Sequence, residues 1–223
     1  MKSLESHLAE SVWMQGLEPE LADLVKSRAI EKRVDAGGYV HYRGMKPEYF
    51  IGVIDGLLFM SRNSELGFNT AIATAHPGDW IGEASLLFLK QRQFDLVAIR
   101  PSRLACIPRA VCKRMYDTSI PFSHYIAMKL AKRMGAFAKL LSSDRMLKPA
   151  SRVAFCLMGF VSAQRVQSGG RIEITQIETG QLTGLSRQYV NSALHDLQAA
   201  NLISIERGAV RIIDVDALAR LIS

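Results

Sequence analysis

The spacing of apolar positions changes twice along the chain, and each change marks a new kind of structure. Residues 1–30 have a helical pattern, with Leu21, Leu24 and Val25 on one face of a helix. From about residue 31 to residue 108 the pattern becomes short apolar runs between turns rich in Gly and Pro. Many short strands with regular turns are typical of a barrel or a jelly roll.

A second helical pattern runs from roughly Pro121 to Met146. Its apolar residues repeat with the 3-4-3-4 spacing of a coiled-coil seam, which predicts a symmetric dimer. The alternative is a single helix that lies on the barrel. The run from Leu147 to Ala150 contains Pro149, which breaks the helix and predicts a hinge. The seam residues are Ala127, Leu130, Met134, Phe137 and Leu141.

Residues 174–194 predict two short helices joined by a tight turn. Thr175 and Glu178 form a capping box at the start of the first helix, and Ser186 is a cap for the second. Gly184 supplies the backbone freedom of the turn. On the second helix an apolar face, formed by Val190, Leu194 and Leu197, lies opposite a polar face formed by Arg187, Gln188, Asn191, Ser192 and His195. An ordinary helical hairpin with a solvated face is the alternative.

The segment after these helices makes DNA binding the better interpretation. Residues 202–205 and 210–213 alternate like strands around a turn at residues 206–209. A helix-turn-helix followed by a short hairpin is a winged helix, which places its second helix in the major groove of DNA.

Charge and composition limit the classes of function. The chain has 223 residues and a net charge of +7. Residues 1–99 carry −3, residues 100–152 carry +10 and residues 153–223 are neutral. Basic charge favours nucleic acid, but here it lies outside the winged helix, and a solvated helix face would also explain much of it.

Three cysteines without CxxC spacing predict a reducing cytoplasm. No signal peptide or membrane span is predicted.

Three motifs in order resemble the Crp/Fnr family of bacterial transcription regulators. They are residues 77–83, residues 130–134, and the C-terminal stretches 174–188 and 197–203. The resemblance implies an α+β protein with a cyclic-nucleotide-binding-like β-roll (jelly roll) over residues 1–118. A dimerisation helix at residues 119–147 and a winged helix-turn-helix at residues 148–223 come after it. The resemblance also implies a homodimer, an inverted-repeat site in double-stranded DNA, and RNA polymerase as a partner.

The resemblance also implies which residues contact DNA. Ser186 opens the recognition helix and meets phosphate, while Arg187 and Gln188 read bases. Arg187 suits guanine, and Gln188 suits adenine where the cyclic-AMP receptor of the family has a Glu. Ser192 replaces an Arg of that receptor, so a different operator is expected. The full predicted interface is Thr175, Gln176, Ser186, Arg187, Gln188, Tyr189, Asn191 and Ser192.

The predicted effector pocket departs from the family pattern. Gly82 would let the backbone approach a sugar-phosphate, Glu83 would accept from a ribose hydroxyl and Arg92 would neutralise a phosphate. Gln93 stands where a small hydroxyl residue is expected, and Phe137 and Ala138 stand at the adenine-contacting hydroxyl positions. Each lost hydrogen bond is worth on the order of 1 kcal/mol, which argues against cyclic AMP. Three alternatives stay open: a vestigial pocket, cyclic AMP, and another small-molecule effector.

Two further classes of function compete with a transcription regulator. A regulatory module that acts through a protein partner, with the winged helix as its docking surface, is supported by the neutral charge of residues 153–223. An enzyme has no support, because no nucleophile constellation, GxxxxGK loop or metal-ligand spacing is present. No Cys precedes Cys106, which argues against an iron–sulfur sensor, and Cys106 and Cys112 are expected to be buried.

Overall fold

A computed structural model describes residues 2–63, 69–87, 90–142, 148–164 and 166–222. The chain divides into two compact units, residues 1–62 with 75–135, and residues 63–74 with 136–223. In chain order, the elements up to residue 108 are α1 (Leu4–Ala9), α2 (Pro19–Arg28), β1 (Ile30–Val34), β2 (Tyr39–His41), β3 (Tyr49–Asp55), β4 (Leu58–Asn63), β5 (Asn69–Ala75), β6 (Trp80–Ile81), α3 (Glu83–Leu87), β7 (Asp95–Ala98) and β8 (Ser102–Pro108).

The remaining elements are mostly helical. They are α4 (Arg109–Thr118), α5 (Ile120–Ser142), α6 (Pro149–Gln164), β9 (Arg171–Glu173), α7 (Gln176–Thr183), α8 (Arg187–Ala199), β10 (Ile203–Glu206), β11 (Ala209–Ile212) and α9 (Val215–Arg220). Among the described residues no helix is long and apolar enough to cross a membrane.

Two sheets form the β-roll of the first unit. One has the strand order β1-β8-β3-β6, and the other places β7 between β2 and β4. The central pair β3 and β8 is antiparallel, with Ile51 opposite Cys106. The predicted jelly-roll class is confirmed, and the strands are short because glycine turns interrupt them, as at Gly56 with φ 103°.

Both faces of β3 are buried, which explains why this strand is apolar at nearly every position. Ile51 and Val53 of β3 point into a core between the two sheets. The alternate residues Phe50 and Ile54 belong to a second core that α2, α4 and α5 help to cover. A strand whose side chains alternate between two cores has no solvated face, so its sequence shows no polar alternation.

The second core of this unit contains what we call the tryptophan cluster, Trp13, Phe50, Trp80 and Phe122. The rings of Trp13 and Trp80 meet edge to face with centroids 5.0 Å apart, and Phe50 stacks on Trp80 at the same distance. The Trp80 indole N–H donates to Ser11 Oγ at 2.9 Å, and Ser11 Oγ donates to the carbonyl of His7 at 2.8 Å. The cluster therefore joins the N-terminal segment to the barrel.

The second unit is a helical core with a small sheet. Helix α6 packs against α7, α8 and α9, and α8 also contacts β10. The sheet has the order β10-β11-β9, in which Ile203 pairs with Ile212 and Val210 pairs with Ile172. The predicted wing is therefore confirmed as β10 and β11, and β9 is a third strand that the sequence pattern did not predict.

Candidate nucleic-acid interface and effector pocket

The helix-turn-helix begins with the predicted capping box. Thr175 Oγ1 accepts a hydrogen bond from the backbone N–H of Glu178 at 3.1 Å, and Glu178 Oε2 accepts from the backbone N–H of Thr175 at 2.7 Å. Gly184 ends α7 in the left-handed conformation with φ 66°, and Ser186 caps α8 by accepting from the Tyr189 N–H. These residues fix the angle at which α8 follows α7.

Helix α8 buries one face and exposes the other. Val190, Ala193, Leu194 and Leu197 are buried. The predicted reading residues lie on the exposed side: Arg187, Gln188, Tyr189, Asn191 and Ser192. These side chains are therefore available to a partner, while the buried face holds the helix in place.

A hydrogen bond joins the two helices at this surface. Gln176, the first residue of α7, donates from Nε2 to Asn191 Oδ1 at 3.3 Å. Both residues were predicted to lie in the DNA interface, but their contact was not predicted, because the two positions are 15 residues apart.

The wing is held by an ion network that no sequence pattern indicated. Glu206 Oε2 lies 2.9 Å from Arg171 Nε, and Glu206 Oε1 lies 2.7 Å from Arg211 Nε. Arg171 also reaches Glu173 at 2.8 Å. The network balances the charges of these strands up to the turn, and Arg207 of the turn is exposed.

In the first unit the structure brings Gly82, Glu83 and Arg92 together. Gly82 has φ 99°, and a Cβ there would meet Nη1 of Arg92. Arg92 is 3% exposed and donates to the Tyr49 carbonyl at 2.6 Å and to the Gly82 carbonyl at 3.4 Å. Burial lowers the pKa of Arg92 to about 10, which leaves it cationic at neutral pH, and Glu83 opposes that shift by attraction.

Arg133 of α5 is a pocket residue that was not predicted. Its Nη1 lies 2.9 Å from Glu83 Oε1, and Glu83 has no exposed surface. Neither oxygen of Glu83 accepts an aligned hydrogen bond within the described structure, so the contact is an ion pair with acceptor capacity left over. The available signal was that Arg133 lies one turn before Phe137, on the same helix face.

Lys129 adds a further cation beside this pair. Burial lowers the pKa of Lys129, and the charge of Glu83 opposes that shift. Arg133 pairs with the buried carboxylate, and Arg92 and Lys129 lie near enough for its charge to act on them, which is the charge balance of a site for an anion.

The other predicted pocket residues are placed differently. Gln93 is exposed, and its Nε2 donates to the Gln91 carbonyl at 3.0 Å, away from the buried cluster. Phe137 and Ala138 lie on α5, but their side chains are outside the described part of the chain. The pocket therefore retains the residues that were predicted to contact a phosphate and a ribose, but position 93 supplies no hydroxyl group to it.

The structure describes the side chains of three of the five residues in the predicted seam of α5. Ala127 is exposed and Met134 is 72% exposed. Leu130 is half-buried and packs against the core of the first unit, so it serves the barrel as well. The Leu141 side chain is outside the described residues. Exposed apolar residues on one helix are compatible with a partner helix.

Comparison with known proteins assigns the regions that contain these residues to two known domains. The model of the cyclic nucleotide-binding domain matches residues 31–119, and the model of the Crp-like helix-turn-helix domain matches residues 151–221. The "CRP-like cAMP-activated global transcriptional regulator" of Mycobacterium tuberculosis is 25% identical over 221 residues, covering 97% of this chain and 99% of that protein. The "Cyclic AMP receptor protein" of Thermus thermophilus is 26% identical, covering 88% of this chain and 90% of that protein.

Solved structures show the same fold. FixK2 from Bradyrhizobium japonicum superposes with a TM-score of 0.70 at 17% identity, covering 86% of this chain and 96% of that chain. The c-di-GMP-responsive global regulator CLP of Xanthomonas campestris superposes with a TM-score of 0.64 at 20% identity, covering 88% of this chain and 99% of that chain.

The β-roll, the capped helix-turn-helix and the two matching domain models define a DNA-binding transcription regulator. The chain belongs to the Crp/Fnr family, whose members are regulators and not enzymes. The alternative of a module that acts only through a protein partner is not favoured, since the matched C-terminal domain is the DNA-binding domain of these regulators.

Proposed function

We propose that this protein is a dimeric regulator that reads an inverted-repeat operator with α8. The observation that carries this proposal is the exposed polar face of a helix that is capped at Ser186 and anchored by a buried apolar face. Two such helices related by a two-fold axis would enter successive major grooves, with half-sites roughly 34 Å apart. Selection of binding sites from random duplex DNA tests the proposal.

Arg187 is proposed to make the main base contact. Its exposed guanidinium at the start of α8 can donate two hydrogen bonds to guanine, which a methyl group cannot replace. Arg187→Ala should abolish sequence preference, whereas His195→Ala, an exposed change farther along the same helix, should preserve it. Unchanged specific binding by Arg187→Ala would refute the assignment.

The proposed dimer uses the exposed apolar side of α5. Met134 is apolar yet largely exposed in the single chain, so a second copy of this helix is the partner of matching chemistry. Met134→Glu should produce monomers in sedimentation equilibrium and should weaken binding to an inverted repeat more than binding to a single half-site. A dimer that survives this change would place the interface elsewhere.

We also propose that the pocket around Glu83 takes a small molecule that bears a phosphate. Arg92, Arg133 and Lys129 supply positive charge, and Glu83 has oxygens free to accept from a hydroxyl. The two sequence relatives are named for cyclic AMP, and one structural neighbour is named for c-di-GMP. The exposed position of Gln93 and the absence of a hydroxyl at residues 137 and 138 argue against the cyclic AMP mode.

Calorimetric titration with cyclic AMP, cyclic GMP and c-di-GMP separates the alternatives. Binding of one of them, weakened at least about tenfold by Arg92→Gln through the loss of a charged contact, would identify the effector. No binding by any of the three, together with operator binding in their absence, would support the vestigial pocket. Because the relatives regulate transcription, RNA polymerase is the proposed protein partner, and transcription in vitro from a selected operator tests it.

A further inference from the structure

The hydrogen bond between Gln176 and Asn191 restricts what Asn191 can offer to DNA. In an amide side chain the oxygen accepts and the nitrogen donates. Since Gln176 Nε2 donates to Asn191 Oδ1, one acceptor position of Asn191 is already used inside the protein. Within the described part of the chain no group accepts a hydrogen bond from Asn191 Nδ2, so both of its protons remain available, and Asn191 is exposed.

An unrestrained Asn reads adenine with both ends of its amide: the nitrogen donates to N7 and the oxygen accepts from the N6 amino group. That arrangement requires the oxygen to face the base. In this protein the oxygen faces Gln176 on the neighbouring helix, so the end of the amide left for the base is the donor.

Gln176 is itself well placed to hold this orientation. It is the first residue of α7, directly after the Thr175 cap, and it is half-buried. Because both helix starts are fixed by caps, the two amides meet between rigid elements. The bond therefore costs little ordering of the backbone.

We propose that Gln176 is a positioning residue that sets the base specificity of Asn191. With Gln176 in place, Asn191 presents only a donor, so its two-ended contact with adenine is lost. It then favours a base edge built of acceptors, guanine or thymine, over adenine, whose N7 acceptor lies beside an amino group. This inference rests on the proposed use of α8 as the recognition helix. Gln176 acts through Asn191 and needs no base contact of its own.

A carboxylate at position 176 should reverse the preference. Glu cannot donate, so Asn191 must turn its Nδ2 toward residue 176 and expose Oδ1 instead. Gln176→Glu should then favour a base that offers an N–H, cytosine or adenine, by roughly tenfold at one position of each half-site. Gln176→Ala releases the amide and should admit adenine without excluding guanine.

The experiment is site selection from random duplex DNA with full-length wild type, Gln176→Glu, Gln176→Ala and Asn191→Ala. The Asn191→Ala protein identifies the operator position in question, because its preference there should be lost. Gln181→Ala is the matched control, since it removes an exposed glutamine from the same helix. Thermal unfolding of every variant checks that the domain is folded.

The expected result is a guanine or thymine preference in wild type and Gln181→Ala, reversed by Gln176→Glu at that position alone. Adenine in the wild-type site, or the same base in wild type and both Gln176 variants, would overturn the inference while DNA recognition stands. The absence of any enriched site with wild type would overturn the proposed recognition helix and the inference with it.

Discussion

His7 is expected to make the first unit sensitive to acid. Its side chain is 1% exposed and neither ring nitrogen has a hydrogen-bond partner among the described residues. The ring lies 5.3 Å from the Trp80 ring. Burial lowers the pKa of His7 from 6.5 to about 4, with Lys2 adding to the shift and Glu10 opposing it.

The sign of the effect depends on which state binds the proton. The unfolded chain binds a proton on His7 below pH 6.5, whereas the folded protein resists it until about pH 4. Stability is therefore fully present above pH 6.5 and falls as the pH is lowered toward 4. Each pH unit between these values costs up to about 1.4 kcal/mol, so the free energy of unfolding should fall by about 2 kcal/mol from about pH 7.5 to about pH 5.0.

Tryptophan fluorescence can measure this in the intact chain. The only two tryptophans, Trp13 and Trp80, both belong to the first unit, so urea unfolding followed by fluorescence reports that unit. The pKa values of His41 and His76 are also lowered by burial, so these residues contribute to the pH dependence of wild type as well. The contribution of His7 is therefore the difference between wild type and a His7 variant. Between these two pH values, the free energy of unfolding of His7→Gln should fall by about 2 kcal/mol less than that of wild type.

The matched control is His124→Gln, which changes an exposed histidine of α5 in the same unit. Its pH dependence should equal that of wild type. If His7→Gln and wild type lost the same stability between the two pH values, the buried neutral state of His7 would be refuted.

Three further outcomes are expected. Thr175→Ala removes the cap of α7 and should destabilise the second unit by about 1 kcal/mol in chemical unfolding, whereas Thr175→Ser should keep most of that stability. Gly56→Ala should lower the first unit's unfolding midpoint, because φ is 103° and the new Cβ would lie 2.7 Å from Ser102 Cα; a folded, equally stable variant would contradict this. Burial raises the pKa of Cys106 to about 11 and of Cys112 to about 12, so thiol alkylation at about pH 8 should be slow until urea unfolds the chain; rapid native labelling of either would be inconsistent with their burial.

The features that were predicted best are those decided locally. The capping box at Thr175, the left-handed Gly184 and the apolar face of α8 depend on residues within a few turns of each other, and the structure confirms them. Cys106 and Cys112 are buried as expected.

The features that were missed depend on distant residues or on short elements. The pairing of Arg133 with Glu83 joins positions far apart in the chain, and β9 is a strand only because it pairs with β11. Helix α4, absent from the predicted order, does carry a local signal: Val111, Cys112 and Met115 form one buried face. Only residues 109–119 separate β8 from α5, and the prediction did not assign a separate helix to so short a segment.

The tryptophan cluster also determines which residues a folded fragment of the first unit must contain. The matched nucleotide-binding domain spans residues 31–119, yet Trp13 comes before it and Phe122 comes after it. A recombinant fragment with those limits would expose Phe50 and Trp80 to water and should aggregate when expressed. A fragment of residues 1–135 keeps all four rings together and is expected to stay folded, so the matched domain is shorter at both ends than the stretch that packs as one unit.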